Sequence, residues 1–290
     1  MTDKTNWTLL PFLRDSKGVS TTFTACGLRL DIARQRLTGE DLNRLVEHCR
    51  ARGVAEAHQR MVSGEIVNVS EQRAALHTSL RAWSPLAPKY DEVVRERKRM
   101  LNFATQVREG VWLGCRGDRI TDVINIGIGG SEMGPHAVYH ALRPSNPAIR
   151  LHFLSTVDGV LLERILDVCN PRSTLVVVSS KSFGTRETLV NAAAVDQWLL
   201  DAGIVGADRA RHMVVVSANA EAANQMCVPE ENLFKFWDWV GGRFSVWGAV
   251  GLPLAIALGP DVFTEFLQGA AEMDRHSLTA PLEQNLPALL

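Results

Sequence analysis

The spacing of apolar positions changes once along this chain, and the change divides it. Up to about residue 110 the spacing is helical. Residues 40–62 form one such run, with Leu42, Leu45, Val46 and Cys49 on one face and Gly53 as an interruption. Residues 70–81 open on the capping pattern Ser70-Glu71-Gln72-Arg73, with Asn68 as an alternative cap, and predict a second helix. Residues 93–108 set Val93, Val94, Met100, Leu101, Ala104 and Val107 near one stripe, after Pro85 and Pro88. Beyond Asp118 the texture differs. Short β-branched runs at 123–128, 150–155, 174–179 and 213–217 alternate with helical patterns at 132–142, 158–168 and 185–200. Continuous apolar strands, each followed by a helix, predict an α/β fold: a parallel sheet covered on both faces in a three-layer sandwich. A fifth strand is predicted at 232–237. After Ser245 the pattern is helical again, with Val262, Phe263, Phe266, Leu267, Ala270 and Met273 on one stripe. The final residues, Asn285-Leu286-Pro287-Ala288-Leu289-Leu290, hold a proline suited to a first helical turn.

Length and composition narrow the function. At about 150 residues per domain, 290 residues predict two domains, or one and a large part of another. A chain that is 46% hydrophobic and 22% charged is not disordered as a whole. With 31 basic and 32 acidic residues, a net charge of -1 argues against a nucleic-acid partner. Residues 1–18 carry five charges and no apolar leader core, and the longest weakly polar stretch, 246–259, is too short to span a membrane. The expectation is a soluble cytoplasmic protein with no membrane partner. Five widely spaced cysteines without CxxC predict reduced thiols. The Asn6-Trp7-Thr8 and Asn68-Val69-Ser70 glycosylation patterns then carry no meaning.

Three segments carry chemistry. Gly127-Ile128-Gly129-Gly130-Ser131 lies between a strand and a helix, where free amides and the helix N-terminus favour an anion. A dinucleotide fingerprint would need glycine at the position of Glu132, so a nicotinamide site is disfavoured. The plain alternative is a tight turn with Ser131 as cap. Ser179-Ser180-Lys181-Ser182-Phe183-Gly184-Thr185 gathers four hydroxyls and one ammonium at a strand end, the donor set a phosphate monoester needs. The alternative is helix capping with a solvated Lys181. Trp237-Asp238-Trp239-Val240-Gly241-Gly242-Arg243-Phe244-Ser245 presents Arg243 from a Gly-Gly bend, suited to an anion or enediolate. The alternative is an Asp238–Arg243 pair that staples the turn. His136 and His140 share a helix face but have no third ligand, and read as structural or surface histidines; no metal is expected.

Together VINIGIGGSEMGP, SSKSFGTRETLVNA and FWDWVGGRFSVWGAVGLP resemble the signature segments of the glucose-6-phosphate isomerase family. Asn68-Val69-Ser70-Glu71-Gln72-Arg73-Ala74-Ala75-Leu76-His77 and Met273-Asp274-Arg275-His276 are similar to further motifs of it, and the resemblance runs from about residue 40 to residue 290. It implies a SIS-type α/β fold, a phosphosugar substrate and no cofactor. Gly130, Ser131 and the loop Ser180, Lys181, Ser182, Phe183, Gly184, Thr185 would hold the substrate, with Ser180, Ser182 and Thr185 on its phosphate. Glu187 would line the site. Gly242 and Arg243 would lie at the reacting carbons, Arg243 stabilising the enediolate. Gly184, Arg186 and Glu132 depart from the family's usual Thr, Gln and Asp; Gly184 removes a hydroxyl but keeps an amide.

The resemblance also implies a homodimer for the full-length family and an N-terminal part here. No segment resembles those that carry the family's proton-transfer glutamate, ring-opening histidine and C-terminal lysine. The expected division is a helical segment over 1–110, a first SIS-type domain over 111–260 and the helical start of a truncated second domain over 261–290. The stripe over 262–273 is then expected to lie uncovered. Two functions follow: an aldose–ketose isomerase with little activity in this chain alone, or a phosphosugar-binding sensor module.

Overall fold

The computed structural model describes residues 22–35, 37–219 and 221–290. The readings of the N-terminus as leaderless and of Asn6-Trp7-Thr8 fall outside them. The described chain opens on a hairpin that helical spacing did not foretell: β1 (Thr22–Ala25) pairs antiparallel with β2 (Leu28–Asp31). Cys26 and Gly27 both have positive φ, the geometry of a two-residue hairpin turn. Strands of four residues give too little alternation to be read from sequence. The first helical run is two helices, α1 (Gly39–Ala51) and α2 (Val54–Ser63), broken at Gly53 with φ 64°.

The helix predicted over 70–81 is absent. Asn68 and Arg73 exchange backbone hydrogen bonds across a closed turn, and the Asn68 carboxamide oxygen accepts from the Ser70 hydroxyl and the Glu71 amide. Gln72 has φ 53°. Asn68 therefore caps a turn rather than a helix, and only a 3-10 segment, His77–Arg81, follows. α3 (Tyr90–Glu109) comes next, as its apolar stripe predicted.

The α/β region has the predicted architecture. β3 (Asp122–Ile126), α4 (Gly130–Leu142), β4 (Arg150–Leu154), α5 (Gly159–Val168), β5 (Thr174–Ser179), α6 (Arg186–Asp201), β6 (Met213–Ser217), the short α7 (Ala222–Gln225) and β7 (Leu233–Lys235) follow in order. All strand pairs of this five-stranded sheet are parallel, in the order β4-β3-β5-β6-β7. Side chains alternate between the faces. Val123, Leu175, Val177, Val214 and Val216 join the core under α3 and α8 (Leu252–Leu258). Ile124, Ile126, Val176, Val178 and Val215 join the core under α5 and α6. Both faces are buried, which is why the strands read as continuous apolar runs.

α9 (Pro260–Thr279) and α10 (Leu286–Leu289) end the chain. The stripe expected to lie uncovered is in part covered. Phe263 and Leu267 are fully buried, Phe263 against Gly251, where an added Cβ would lie 2.4 Å from its ring. Phe266 stacks on Trp247 at 4.3 Å, and Arg81 ties the 3-10 segment to α9 by paired bonds to Asp274 of 2.5 and 2.7 Å.

The cysteines are all unpaired, and burial pushes the Cys169 thiol up to about 12. Sequence spacing showed no metal-ligand cluster, yet the fold brings Asp122, His152 and Cys169 within 4.8 Å of one another, at the opposite sheet end from the loops after β3 and β5. The Asp122 carboxylate there is already occupied: it accepts from Arg150, His152 and the Thr121 hydroxyl at 2.8–2.9 Å. Burial works against its charge, but the bonds from His152, Arg150 and Thr121 hold its pKa below the usual carboxylate range.

His212 is buried and bonded at both ring nitrogens, Nδ1 to the Thr174 carbonyl and Nε2 accepting from the Cys115 amide. That pattern needs the neutral ring. Burial lowers its pKa despite the Thr174 bond and the nearby Asp208 and Asp118. A histidine depressed in the folded state gives stability that is complete above its ordinary value, about 6.5, and is lost as pH falls from there through the folded value. Urea unfolding at pH 7.5 and 5.5 should show a larger acid loss for the native chain than for His212→Gln; equal losses would refute this account.

Candidate functional site

The strand order creates the site. From β3 the chain crosses to β4 on one side, then returns to β5 on the other. The carboxyl ends of β3 and β5 therefore border the crevice where such sheets bind ligands. The loop 127–131 follows β3 and the loop 179–185 follows β5. Asn125, fully buried in β3, joins them: its Nδ2 donates to the Ser131 carbonyl at 3.2 Å and its Oδ1 accepts from the Ser179 hydroxyl at 3.4 Å. At Gly127 an added Cβ would sit 2.9 Å from the Ser131 Cβ and 3.1 Å from the Ser179 carbonyl oxygen.

The third segment closes on the first through bare backbone. An added Cβ at Gly130 would lie 2.1 Å from the Gly242 carbonyl oxygen and 2.2 Å from its carbon. The Ser245 hydroxyl donates to the Gly242 carbonyl at 2.7 Å and approaches the Gly130 carbonyl at 3.4 Å. Gly130 and Ser131 thus share one wall with Gly242 and Arg243. Arg243 and Glu187 are exposed, and no side-chain hydrogen bond or ion pair of either occurs among the described residues.

The Asp238–Arg243 staple that stood as the alternative does not form. Asp238 lies 3.6 Å from the Arg73 guanidinium, which also donates to the Asp238 carbonyl. The turn after Asn68 supplies this arginine, so the segment that fails as a helix still serves the site. His77 supports the same bend: its Nε2 accepts from the Gly241 amide at 2.9 Å and its ring lies 4.5 Å from Phe244. Burial, with Arg81 and Lys181 nearby, lowers the His77 pKa and favours the neutral acceptor.

In the second loop the hydroxyls differ. Ser182 is exposed and its oxygen receives the Gly184 amide at 3.4 Å. Thr185 precedes α6 as its cap residue without a side-chain capping bond, leaving its hydroxyl uncommitted. The buried hydroxyls of Ser180 and of Thr188, in the first turn of α6, have no partner among the described residues. Phe183 has φ 55° and a ring buried in the core under α6, so what it offers a ligand is its amide. Lys181, expected to face an anion, donates instead to the carbonyls of Asp238 at 2.7 Å and Val240 at 2.9 Å. Sequence reasoning gave no role to Ser217 and Asn219, which hold this loop: the Ser217 hydroxyl donates to the Ser180 carbonyl and the Asn219 amide group to that of Ser182. The signal was present in Ser217-Ala218-Asn219, a polar cluster at the carboxyl end of β6. The His136 and His140 rings lie 4.3 Å apart, tilted by 53°, on the exposed side of α4.

The sequence pattern of the family described as phosphoglucose isomerase matches residues 31–290. The chain belongs to the phosphoglucose isomerase family. It is 48% identical over 269 residues to a glucose-6-phosphate isomerase of Paraburkholderia xenovorans, covering 92% of this chain and 50% of that protein. A glucose-6-phosphate isomerase of Burkholderia ambifaria is also 48% identical, with coverages of 91% and 49%. The chain thus spans about half the length of the curated relatives it matches. Among solved structures, a glucose-6-phosphate isomerase from Chlamydia trachomatis superposes with a TM-score of 0.80 at 30% identity, over 93% of this chain and 52% of that one. A hypothetical protein from Thermus thermophilus follows at a TM-score of 0.64 and 28% identity, over 87% and 54%. No helix among the described residues is long and apolar enough to cross a membrane.

For this phosphoglucose isomerase family member the Gly130–Gly242 approach gives an asymmetric prediction. Gly130→Ala should lower unfolding free energy by about 1–3 kcal/mol through overpacking of main chain on main chain. Gly242→Ala should change it by less than about 0.5 kcal/mol, because its Cβ would meet only the Gly130 Cα, at 3.9 Å. Denaturant unfolding of both variants checks this, and similar losses would contradict it.

Proposed function

We propose that the crevice is the phosphosugar-binding part of an aldose–ketose isomerase site, with glucose 6-phosphate and fructose 6-phosphate as its substrates. The observation that carries the reading is the joining of three loops at one crevice: an uncommitted set of hydroxyls on one side and the unpaired Arg243 on the other. Ser180, Ser182 and Thr185, with the amides of Phe183 and Gly184, receive the phosphate at the start of α6, where amides and helix dipole favour an anion. Gly184 contributes only an amide at a position where a threonine would add a hydroxyl. Ser131 and Glu187 line the sugar's path. Arg243 lies at the reacting carbons and stabilises the negative oxygen of a cis-enediolate while a proton moves between C1 and C2.

That proton transfer needs a carboxylate base. Asp238 is engaged by Arg73, and the resemblance gives Glu187 no base role. This chain alone therefore binds and polarises the substrate with little or no turnover. A coupled assay for glucose 6-phosphate formation should give almost none; ordinary enzyme rates abolished by Glu187→Gln would place the base in this chain. The sensor alternative predicts the same binding without turnover, and differs in predicting that the other half of a relative adds no activity when supplied.

Calorimetric titration tests the binding reading. Glucose 6-phosphate should bind and glucose should not. Ser182→Ala should weaken the phosphosugar by about 1–3 kcal/mol, the usual cost of a hydrogen bond to a charged group. Equal affinity for glucose, or an unaffected Ser182→Ala, would refute it.

A further inference from the structure

Lys181 is bonded at both of its ends. Its carbonyl accepts from the Ala218 amide at 3.1 Å and from the Ser217 hydroxyl at 3.1 Å, which fixes its main chain to the end of β6. Its ammonium crosses the crevice wall and donates to the carbonyls of Asp238 and Val240. An ammonium has three donors, so two are spent on main chain. The bonded carbonyls stand immediately before Gly241-Gly242-Arg243, and the next amide, that of Gly241, is held by His77. The entry to the arginine bend is thus fixed from two sides. The Lys181 side chain is half-buried, and burial followed by the nearby Arg73 pulls its pKa down, while Glu71 and Asp238 pull it up. Among the links described across the crevice, this one ties a side chain of the hydroxyl loop directly to the Arg243 bend.

We propose that Lys181 is a positioning residue, which sets the distance between the hydroxyl loop and Arg243 and does not ligate phosphate. The proposal rests on the reading of the crevice as a phosphosugar site. Its consequence separates two ligands. Inorganic phosphate needs only the hydroxyl loop, whereas a phosphosugar must meet that loop and Arg243 at once, so only the latter depends on their separation.

Three measurements test it on the 290-residue chain. In Lys181→Met, glucose 6-phosphate affinity should fall about tenfold or more while that for inorganic phosphate stays within about threefold, and the Gly241 amide should exchange with solvent about tenfold faster. Lys181→Arg, which keeps donors for both carbonyls, should recover most of both effects. In the native chain, the 15N resonance of the Lys181 ammonium should not move when phosphate is added, a result independent of whether any variant folds. Parallel loss of both affinities with unchanged exchange, or a phosphate-dependent shift of the ammonium, would make Lys181 a phosphate ligand and overturn the proposal. So would unchanged affinities with unchanged exchange. If the native chain bound neither phosphate nor glucose 6-phosphate, the crevice reading would fail, while slower or unchanged exchange in Lys181→Met would separately refute the positioning.

Discussion

The candidate site depends on one approach of main chain to main chain, Gly130 against Gly242. A side chain at residue 130 would occupy the space of the Gly242 carbonyl. The two segments are more than a hundred residues apart in sequence, and neither contains the elements that bring them together. β3 aims the first, and the packing of α8 under the sheet, with α9 against α8, aims the second. Interiors are close-packed and do not yield gradually, so a contact of this kind fixes how Gly130 and Ser131 sit against Gly242 and Arg243 in their shared wall. What the sheet contributes to function is this precision, and its strand order supplies the place.

Around that contact most polar side chains are used for support. Asn125 joins the ends of β3 and β5, Ser217 and Asn219 hold the loop after β5, and Arg73 takes Asp238. His77 accepts a main-chain amide as a neutral ring. At Asn125, Ser217 and His77 these bonds satisfy groups that would otherwise be desolvated without partners, an error costing about 1–3 kcal/mol each. Against this background the groups left uncommitted stand out: Arg243, Glu187 and the hydroxyls of Ser180 and Thr185. A site that binds a charged, polar ligand needs such groups held ready rather than paired with one another.

Much of this was legible in the sequence. Apolar runs of four to six residues gave β3 to β6 nearly to the residue, because strands buried on both faces carry no competing polar pattern. The three loops were legible as well, since Gly-rich and hydroxyl-rich stretches at strand ends have few other uses. Partners were not. Lys181 and a phosphate, or Asp238 and Arg243, are neighbours in composition, but sequence spacing does not say which way a side chain turns, and main-chain carbonyls compete as acceptors everywhere. The turn at 68–73 shows the same limit: Asn68 can cap a helix or a turn, and the positive φ of Gln72 decides. The Asp122, His152 and Cys169 cluster was invisible because its members come from three separate elements.

The most direct test is a crystal structure of this chain with glucose 6-phosphate bound. The phosphate oxygens should lie within hydrogen-bonding reach of Ser182 and Thr185, the sugar's C1–C2 end beside Arg243, and the Lys181 ammonium still on the carbonyls of Asp238 and Val240. A phosphate seated away from the loop after β5, or an Arg243 turned from the sugar, would contradict it.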